Sequence, residues 1–168
     1  VQADAVIIST GASAKWLGLE SEQRLARNGG GVSACAVCDG FFYRNMEVAI
    51  VGGGDTAAEE ALYLSKLCPK VHLLVRRDEL RASKIMQERV LKNDKIIIHW
   101  NTSTLEVIGA TQVEGIRVFN NVTKEESTIP VKGFFVAIGH KPNTDIFKGW
   151  IDMDETGYLK TVPGTSKT

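Results

Sequence analysis

The chain contains 168 residues, of which 43% are hydrophobic, and its 20 basic and 20 acidic side chains cancel in charge. This length suffices for one ordinary globular domain plus additional segments, and the balanced charge excludes the strongly basic composition of a nucleic-acid or membrane-surface binder. The sequence has no run of about 20 apolar residues and no charged-then-apolar leader, so it predicts neither a transmembrane helix nor a signal peptide.

The first apolar stretch, residues 5–9 (A-V-I-I-S), is predicted to form a short strand. Parallel strands need neighbours, and nothing before this stretch offers one. We therefore expect it to belong to a sheet whose other strands lie outside the given sequence, with an edge strand of the following domain as the alternative. Residues 15–31 end in Asn-Gly-Gly-Gly and are predicted to be a loop.

Two cysteines, Cys35 and Cys38, stand in the motif C-A-V-C-D-G. Two thiols at this spacing are able to close a small disulfide ring. The adjacent carboxyl group of Asp39 is placed to move the protons that thiol exchange requires. The motif therefore predicts a dithiol that cycles between its reduced and oxidised forms.

Two other interpretations of this pair stay open. A zinc site would require two further ligands, and the spacing of the candidates matches known zinc sites poorly, so we expect no metal. Those candidates are Cys68, His72, His99 and His140. The second alternative is that Cys35 and Cys38 are buried structural cysteines without redox chemistry. We expect this structural role for Cys68. An odd total of three cysteines favours a reducing compartment, which we take to be the cytoplasm.

The stretch after residue 47 predicts a dinucleotide-binding turn. Residues 48–51 are a buried-strand run that ends in three glycines, and Gly52, Gly54 and Ala57 fit the pattern G-x-G-x-x-A. Gly52 permits the tight turn, Gly54 lets backbone N–H groups approach a pyrophosphate, and Ala57 lets the following helix lie close to the strand. A glycine-rich turn without a ligand is the alternative.

The elements on the far side of this glycine turn (residues 52–54) complete a β-α-β unit. A helix is predicted over residues 56–67 and a second strand over residues 71–75. The β-α-β context is what the glycine pattern requires before it is taken as a cofactor site.

Arginines follow the second strand where NAD-binding proteins carry an acidic residue for the ribose 2′-hydroxyl. The residues are Arg76, Arg77 and Arg81. A planar guanidinium group matches a phosphate, so these side chains predict a 2′-phosphate and therefore NADP. The alternative is a solvated basic edge that Asp78 and Glu79 partly neutralise.

The remaining pattern alternates between helix and strand. Ser83 is predicted to cap a helix over residues 84–92, and a third parallel strand is predicted over residues 96–100. Residues 115–120 and 127–131 alternate in polarity and predict an antiparallel excursion.

A buried strand over residues 134–138 is then predicted to return to the parallel sheet. Together the elements predict an α/β fold: a Rossmann-like parallel sheet with helices and an antiparallel β excursion.

The motifs together closely resemble the low-molecular-weight, bacterial-type thioredoxin reductases, flavoproteins of the pyridine nucleotide–disulfide oxidoreductase family. The resemblance rests on C-x-x-C-D-G combined with the glycine turn and two adjacent arginines. G-H-K-P-N-T at residues 139–144 and T-G-A at residues 10–12 match further family segments, and the likeness covers about residues 1–163. Two departures are Val75, where many members carry His, and the glycine run 29–31, which lengthens the loop before the cysteines.

The resemblance implies an electron path from NADPH to FAD, from FAD to the disulfide, and from the dithiol to thioredoxin. It implies that Cys38 faces the flavin, Cys35 attacks the thioredoxin disulfide, and Asp39 acts as their acid and base. The residues expected to bind NADP are Gly52, Gly53, Gly54, Asp55, Thr56, Arg76, Arg77, Arg81 and Gly139, and those expected on the FAD side are Thr10, Gly11 and Ala12. A homodimer is expected for the full-length protein.

The family layout also predicts domain borders. Residues 1–14 are expected to be a stub of an FAD-binding domain, residues 15–144 an NADPH-binding domain with the cysteine pair, and residues 145–168 the start of a return to the FAD-binding domain. Hinges for rotation of the two domains are expected near residues 11–15 and 139–144.

The G-x-G-x-x-G that such reductases use for FAD, and their later G-D segment, are not in the sequence. The chain alone is therefore expected to bind NADP(H), to hold no FAD and to turn over no thioredoxin. Two alternative functions stay open. One is a related flavoprotein, either the reductase component of a peroxiredoxin system or a dithiol oxidase, although the arginines argue against the oxidase. The other is a non-enzymatic NADP-sensing module whose cysteines report redox state.

Overall fold

Ten strands and four helices follow one another along residues 2–168, the part of the chain that the computed structural model describes. The strands are β1 (Ala12–Ala14), β2 (Val32–Ser33), β3 (Val48–Val51), β4 (Val71–Leu74), β5 (Ile96–His99), β6 (Thr102–Ile108), β7 (Gly115–Asn120), β8 (Glu126–Ile129), β9 (Gly133–Val136) and β10 (His140–Pro142). The helices are α1 (Glu20–Arg27), α2 (Ala36–Asp39), α3 (Asp55–Leu64) and α4 (Lys84–Leu91), and short 3-10 helices cover Gly40–Tyr43 and Asp145–Phe147. Within residues 2–168, no helix has the length and apolar content needed to cross a bilayer.

These residues group into two compact units. The central unit is Trp16–Ile138, and the terminal unit combines residues 2–15 with Gly139–Thr168. Residues 139–144 belong to the terminal unit because β10 pairs with β1 in an antiparallel ladder that joins Ala12 to Pro142.

The predicted domain borders fell at residues 14/15 and 144/145, so the two divisions differ chiefly over residues 139–144. The assignment of the terminal segments to an FAD-binding domain stays a prediction. Val1, the first residue of the predicted stub, lies outside the described residues.

Five parallel strands form the sheet of the central unit, in the order β2-β9-β3-β4-β5. The strands β3, β4 and β9 are buried along their whole length, as expected for parallel strands that are covered on both faces. The strands predicted at residues 48–51, 71–75, 96–100 and 134–138 are confirmed, with ends that shift by no more than two residues.

Helix α3 connects β3 to β4 and packs on one face of this sheet. Predicted over residues 56–67, it begins at Asp55 and ends at Leu64, and α4 matches its predicted span to within one residue. Ala57, Ala61 and Leu64 are fully buried in the core on that face. Small alanine side chains let the helix lie close to the strands.

The antiparallel excursion is a three-stranded sheet in the order β6-β7-β8. Ile116 and Ile129 of this sheet share a second core with Phe134, on the other face of the parallel sheet. Sequence reasoning predicted β7 and β8 but missed β6, where a register shift between Thr104 and Glu106 interrupts the regular pairing. The predicted α/β class, with a parallel sheet, helices and an antiparallel excursion, is confirmed.

Residues 5–9 form no strand with any other part of residues 2–168, and Val6 and Ile7 are 77% and 92% exposed. The pairing predicted for this stretch, with strands outside the given sequence, stays a prediction. A strand requires backbone hydrogen bonds to a neighbour, and the sheets of residues 2–168 place none beside this segment. The alternative of an edge strand in the following domain is excluded for the same reason.

The loop predicted for residues 15–31 is wrong in its middle, where α1 spans Glu20–Arg27. Leu25 is buried, and the carboxylate of Glu22 accepts two backbone N–H bonds from the preceding turn, both at 2.9 Å. The glycine-rich end of the segment favoured a loop prediction. The helix is instead stabilised by one buried leucine and one hydrogen-bonded carboxylate.

Candidate functional site

The candidate site residues of the central unit follow three parallel strands. Cys35 comes two residues after β2, Gly52 directly after β3, and Arg76 two residues after β4. Because parallel strands present their carboxyl ends at one edge of a sheet, these residues lie along the edge where open α/β sheets bind ligands. The structure therefore brings the cysteine pair, the glycine turn and the arginines to one edge of one sheet.

Cys35 and Cys38 are joined by a disulfide, with their Cα atoms 5.3 Å apart. Cys35 is the N-cap of α2, where its sulfur accepts a hydrogen bond from the backbone N–H of Cys38 at 3.2 Å. The hydroxyl of Ser33 accepts the N–H of Cys35 at 3.0 Å. The disulfide is thus held between the end of β2 and the first turn of α2.

The disulfide is open to solvent on one side. Cys38 is exposed, whereas Cys35 and Asp39 are partly buried. Two large apolar side chains close to it in sequence, Val37 and Phe42, are 64% and 73% exposed. An apolar surface beside a reactive disulfide is typical of a region that another surface covers during reaction.

The other side of α2 packs on α3. Ala36 is fully buried in the same core as Ala57 and Ala61. A Cβ atom added at Gly40 would lie 3.0 Å from the Leu64 side chain. The disulfide helix is therefore positioned by close packing of small residues against the helix that begins at the glycine turn.

Glu60 of α3 lies beside the start of α2 and was missed by sequence reasoning. Its Oε2 atom is buried and has no hydrogen-bond partner within the described part of the chain. Burial raises the pKa of this carboxyl; a hydrogen bond from the backbone of Ala36 lowers it and the charge of Glu59 raises it further. Two adjacent glutamates in a helix are usually solvent-exposed, so the sequence carried no local signal for this position.

The glycine turn is tightly packed at its start and open at its end. A Cβ atom added at Gly52 would lie 2.3 Å from the carbonyl oxygen of Ala137 and 2.6 Å from the Cβ of Ala57, and Gly52 has a φ of +154°. A Cβ atom at Gly54 would meet no atom within 4 Å. Gly52 therefore serves the turn itself, and Gly54 leaves open space in front of the N-terminus of α3, where a phosphate would bind.

Arg76, Arg77 and Arg81 are exposed and lie in the segment that joins β4 to α4, here called the arginine segment (residues 76–82). Within residues 2–168, no carboxylate forms a salt bridge with any of the three, including Asp78 and Glu79. The three guanidinium groups are thus available to an external anion.

The backbone of the arginine segment is fixed to neighbouring elements. The carbonyl oxygen of Gly53 accepts the N–H groups of Arg81 at 2.6 Å and of Ala82 at 3.1 Å, and the Arg77 carbonyl accepts the N–H of Asn101 at 3.0 Å. The segment therefore lies directly on the glycine turn at one end.

Asp55 and Thr56, both predicted to bind the cofactor, are exposed in the first turn of α3. One carboxylate oxygen of Asp55 accepts both the N–H and the hydroxyl of Ser83, each at 2.8 Å. These two bonds, the backbone one first, lower the pKa of Asp55. Its side chain thus already has a partner within the chain.

The terminal unit contains the remaining candidate residues, Thr10, Gly11, Ala12 and Gly139. Asn143 connects the two motifs of this unit: its N–H donates to the Gly11 carbonyl at 2.9 Å and its side-chain amide to the Thr10 carbonyl at 3.1 Å. The Gly139 carbonyl accepts the N–H of Lys15 at 2.9 Å. T-G-A and G-H-K-P-N-T thus form one hydrogen-bonded structure.

The histidines and the third cysteine have other contacts. His72 and His99 are 2.9 Å apart through Nδ1 and Nε2, and His72 Nε2 lies 3.2 Å from a Glu47 carboxylate oxygen. Cys68 is buried, and burial raises the pKa of its thiol to about 11. The described residues bring together no group of three or more His, Cys, Asp or Glu side chains suited to hold a metal ion.

Comparison with known proteins identifies a consistent group of relatives. A family model for pyridine nucleotide-disulphide oxidoreductases matches residues 1–164. Over 99% of its length the chain is 49% identical to a thioredoxin reductase of Rickettsia conorii, of which it covers 54%. It is 50% identical over its whole length to thioredoxin reductase 1 of Saccharomyces cerevisiae, of which it covers 53%.

A solved structure agrees with these relatives. The crystal structure of Lactococcus lactis thioredoxin reductase in its FR conformation matches 91% of this chain with a TM-score of 0.83 and 36% identity, and the match covers 50% of that protein. The chain thus spans about half the length of the curated relatives it matches.

Proposed function

Because the chain belongs to the pyridine nucleotide-disulphide oxidoreductase family, we propose that it is the NADP-binding and disulfide-carrying part of an NADPH-dependent thioredoxin reductase. The observation that carries this proposal is the placement of the Cys35–Cys38 disulfide, the glycine turn and three unpaired arginines along one edge of one parallel sheet. The names of the relatives at 49% and 50% identity support the choice of thioredoxin as the partner.

The residues present fit NADP(H). The open space in front of Gly54 and the unpaired N–H groups of the first turn of α3 suit a pyrophosphate, and the guanidinium groups of Arg76, Arg77 and Arg81 suit a 2′-phosphate. When bound, NADPH supplies the hydride whose two electrons reduce the disulfide by way of a flavin. Gly53 and Thr56 remain proposed contacts of the cofactor, and Asp55 is proposed to support the site through its bonds to Ser83. The role expected for Gly139, which belongs to the terminal unit, rests on the family resemblance alone.

The residues present do not fit FAD by themselves. Within residues 2–168 the glycine turn after β3 is the single strand-to-helix turn of the dinucleotide-binding type. Thr10, Gly11 and Ala12 are proposed to lie beside the flavin in the whole protein. We expect the 168-residue chain to be colourless in the visible range, and bound flavin absorption would contradict this.

The whole protein is proposed to be a cytoplasmic homodimer.

The cysteine pair would pass two electrons to thioredoxin by thiol–disulfide exchange. Once both sulfurs are reduced, the Cys35 thiolate attacks one sulfur of the partner disulfide and forms a mixed disulfide. The Cys38 thiolate then attacks the Cys35 sulfur, which restores the Cys35–Cys38 bond and releases the partner as a dithiol. Asp39, next in sequence to Cys38, is the proposed acid and base for the two protons.

The experiment that tests cofactor choice is a titration of the chain with NADPH and with NADH. We expect NADPH to bind more tightly, and Arg76→Ala or Arg77→Ala to weaken NADPH binding by about tenfold with little effect on NADH, because each removes a charged hydrogen-bond donor to the 2′-phosphate. The matched control is Arg27→Ala, which removes an exposed arginine of α1 that is distant in sequence from the arginine segment. An unchanged preference for NADPH in the Arg76 and Arg77 variants would refute their assignment.

A further inference from the structure

The arginine segment reaches α4 through Ser83, which stands at the N-cap of that helix. A serine at this position normally accepts a backbone N–H from the first turn of its own helix. The Ser83 side chain makes no such bond, and its hydroxyl donates instead to Asp55 at the start of α3. The first residue of one helix is thereby connected to the cap of another across 28 positions of sequence.

This connection lies next to a second one. The N–H groups of Arg81 and Ala82 donate to the carbonyl oxygen of Gly53, two residues before Asp55. The position of Arg81 is therefore fixed by two sets of hydrogen bonds. Its own N–H donates to Gly53, and Ser83, two residues later, donates to Asp55. Arg76 and Arg77 belong to the other end of the segment, where the Arg77 carbonyl is bonded to Asn101.

The charge of Asp55 makes direct contact with the cofactor unfavourable. A carboxylate in the first turn of α3 would repel a pyrophosphate at the same helix end. Both donors that Asp55 engages come from Ser83. The pKa of Asp55 is lowered by these bonds, so the carboxylate stays ionised and bonded at neutral pH.

We propose that Asp55 and Ser83 are positioning residues that fix Arg81 beside the glycine turn and so raise the preference for NADPH over NADH without touching the 2′-phosphate. This inference rests on the proposed function, because it assumes that Arg81 binds that phosphate. In this proposal Asp55 does not contact the cofactor itself; it positions Arg81, which does.

A double-mutant cycle between Ser83 and Arg81 tests the proposal. We expect Ser83→Ala to weaken NADPH binding about fivefold, the scale of one hydrogen bond, and NADH binding less than twofold. In the Arg81→Ala background, Ser83→Ala should have no further effect, because residues that act as a unit are not additive. Asp55→Ala removes the bonds to both the N–H and the hydroxyl of Ser83, so it should weaken NADPH binding at least as much as Ser83→Ala does.

Conservative variants are the controls. Ser83→Thr keeps the hydroxyl and Asp55→Asn keeps an acceptor oxygen, so both should retain the preference for NADPH. Equal losses of NADPH and NADH affinity in Ser83→Ala and Asp55→Ala, or losses that add to that of Arg81→Ala, would overturn the proposal and leave a purely structural role. Failure of the proposed function is distinguishable, because the unsubstituted chain would then show no preference for NADPH, and this result would overturn both.

Discussion

The disulfide helix α2 and the arginine segment adjoin the same helix, α3, but they are held in different ways. The buried side of α2 packs small residues against α3, with Ala36 fully inaccessible to solvent. The three arginines of the arginine segment are exposed. The segment is held by hydrogen bonds to Gly53 and, through the neighbouring Ser83, to Asp55, and its Leu80 and Ala82 side chains are buried in the core. Packing thus holds the disulfide in place, whereas the proposed preference for NADPH depends on exposed arginines and on polar contacts that water competes for.

The difference has a physical reason. A disulfide that exchanges with a partner must keep its sulfurs at a fixed position, and close packing provides a rigid support. Phosphate recognition requires charged groups that stay hydrated until the ligand arrives. The arginine side chains are therefore left exposed, and hydrogen bonds of the segment's backbone hold them in position. Substitutions that change volume should therefore act on the disulfide side, and substitutions that remove polar groups should act on the arginine side.

The largest expected effect is a loss of stability on substitution of Gly52, and it tests whether the glycine turn that supports the arginine segment is tightly packed. Gly52→Ala places a Cβ atom 2.3 Å from the Ala137 carbonyl oxygen at a φ of +154°. We expect the free energy of unfolding to fall by at least about 3 kcal/mol, from overpacking and backbone strain together. Urea unfolding followed by circular dichroism measures this loss.

Gly54→Ala is the matched control within the same turn. A Cβ atom there meets no atom within 4 Å, so the free energy of unfolding should change by less than about 1 kcal/mol, while the dissociation constant of NADPH rises on the order of tenfold. Equal stability losses in the two alanine variants would contradict the division of the turn into a packed and an open part.

The sequence predicted the elements in which burial leaves a continuous local pattern. The strands β3, β4 and β9 are covered on both faces, so each is a short apolar run, and glycine marks the turn after β3. The cysteine pair and the arginines were found because their chemistry depends on residue type at fixed spacing.

The parts that the sequence did not predict depend on contacts between distant residues. The bond from Ser83 to Asp55 spans 28 positions, and Glu60 approaches Ala36 from a different helix. Neither contact leaves a periodic signal in either segment. For α1, one buried leucine among polar residues gave too weak a pattern to outweigh the glycines that follow it.

The next largest effect tests whether packing holds α2, by substituting the two neighbouring residues between the cysteines. Ala36→Leu adds three carbon atoms at a fully buried site, and we expect the free energy of unfolding to fall by about 2 kcal/mol. Val37→Leu changes a side chain that is 64% exposed and should stay within about 0.5 kcal/mol of the unsubstituted chain. Urea unfolding without reductant keeps the disulfide intact in both variants. A similar response at the two positions would mean that packing does not hold α2.

The smallest effect concerns the polar exception on the packed side, Glu60. Burial raises the pKa of this carboxyl above its ordinary value of 4.5. Such a group costs no stability below its unfolded-state pKa, where both states are protonated. Stability is lost as the pH rises from there through the folded-state pKa, because the folded state binds a proton that the unfolded state has already released.

Glu60→Gln removes the charge and leaves an amide oxygen that is still able to accept the Ala36 N–H. At pH 8 we expect a gain of about 1 kcal/mol in the free energy of unfolding, at the low end for a buried polar group without a partner because the side chain is only partly buried. At pH 4 the gain should disappear. Glu59→Gln, at the exposed neighbouring position, should change stability by less than about 0.5 kcal/mol at either pH. A gain at pH 4 as large as that at pH 8 would show that the amide stabilises the chain by its own contacts, and that the charge of Glu60 does not destabilise the folded state.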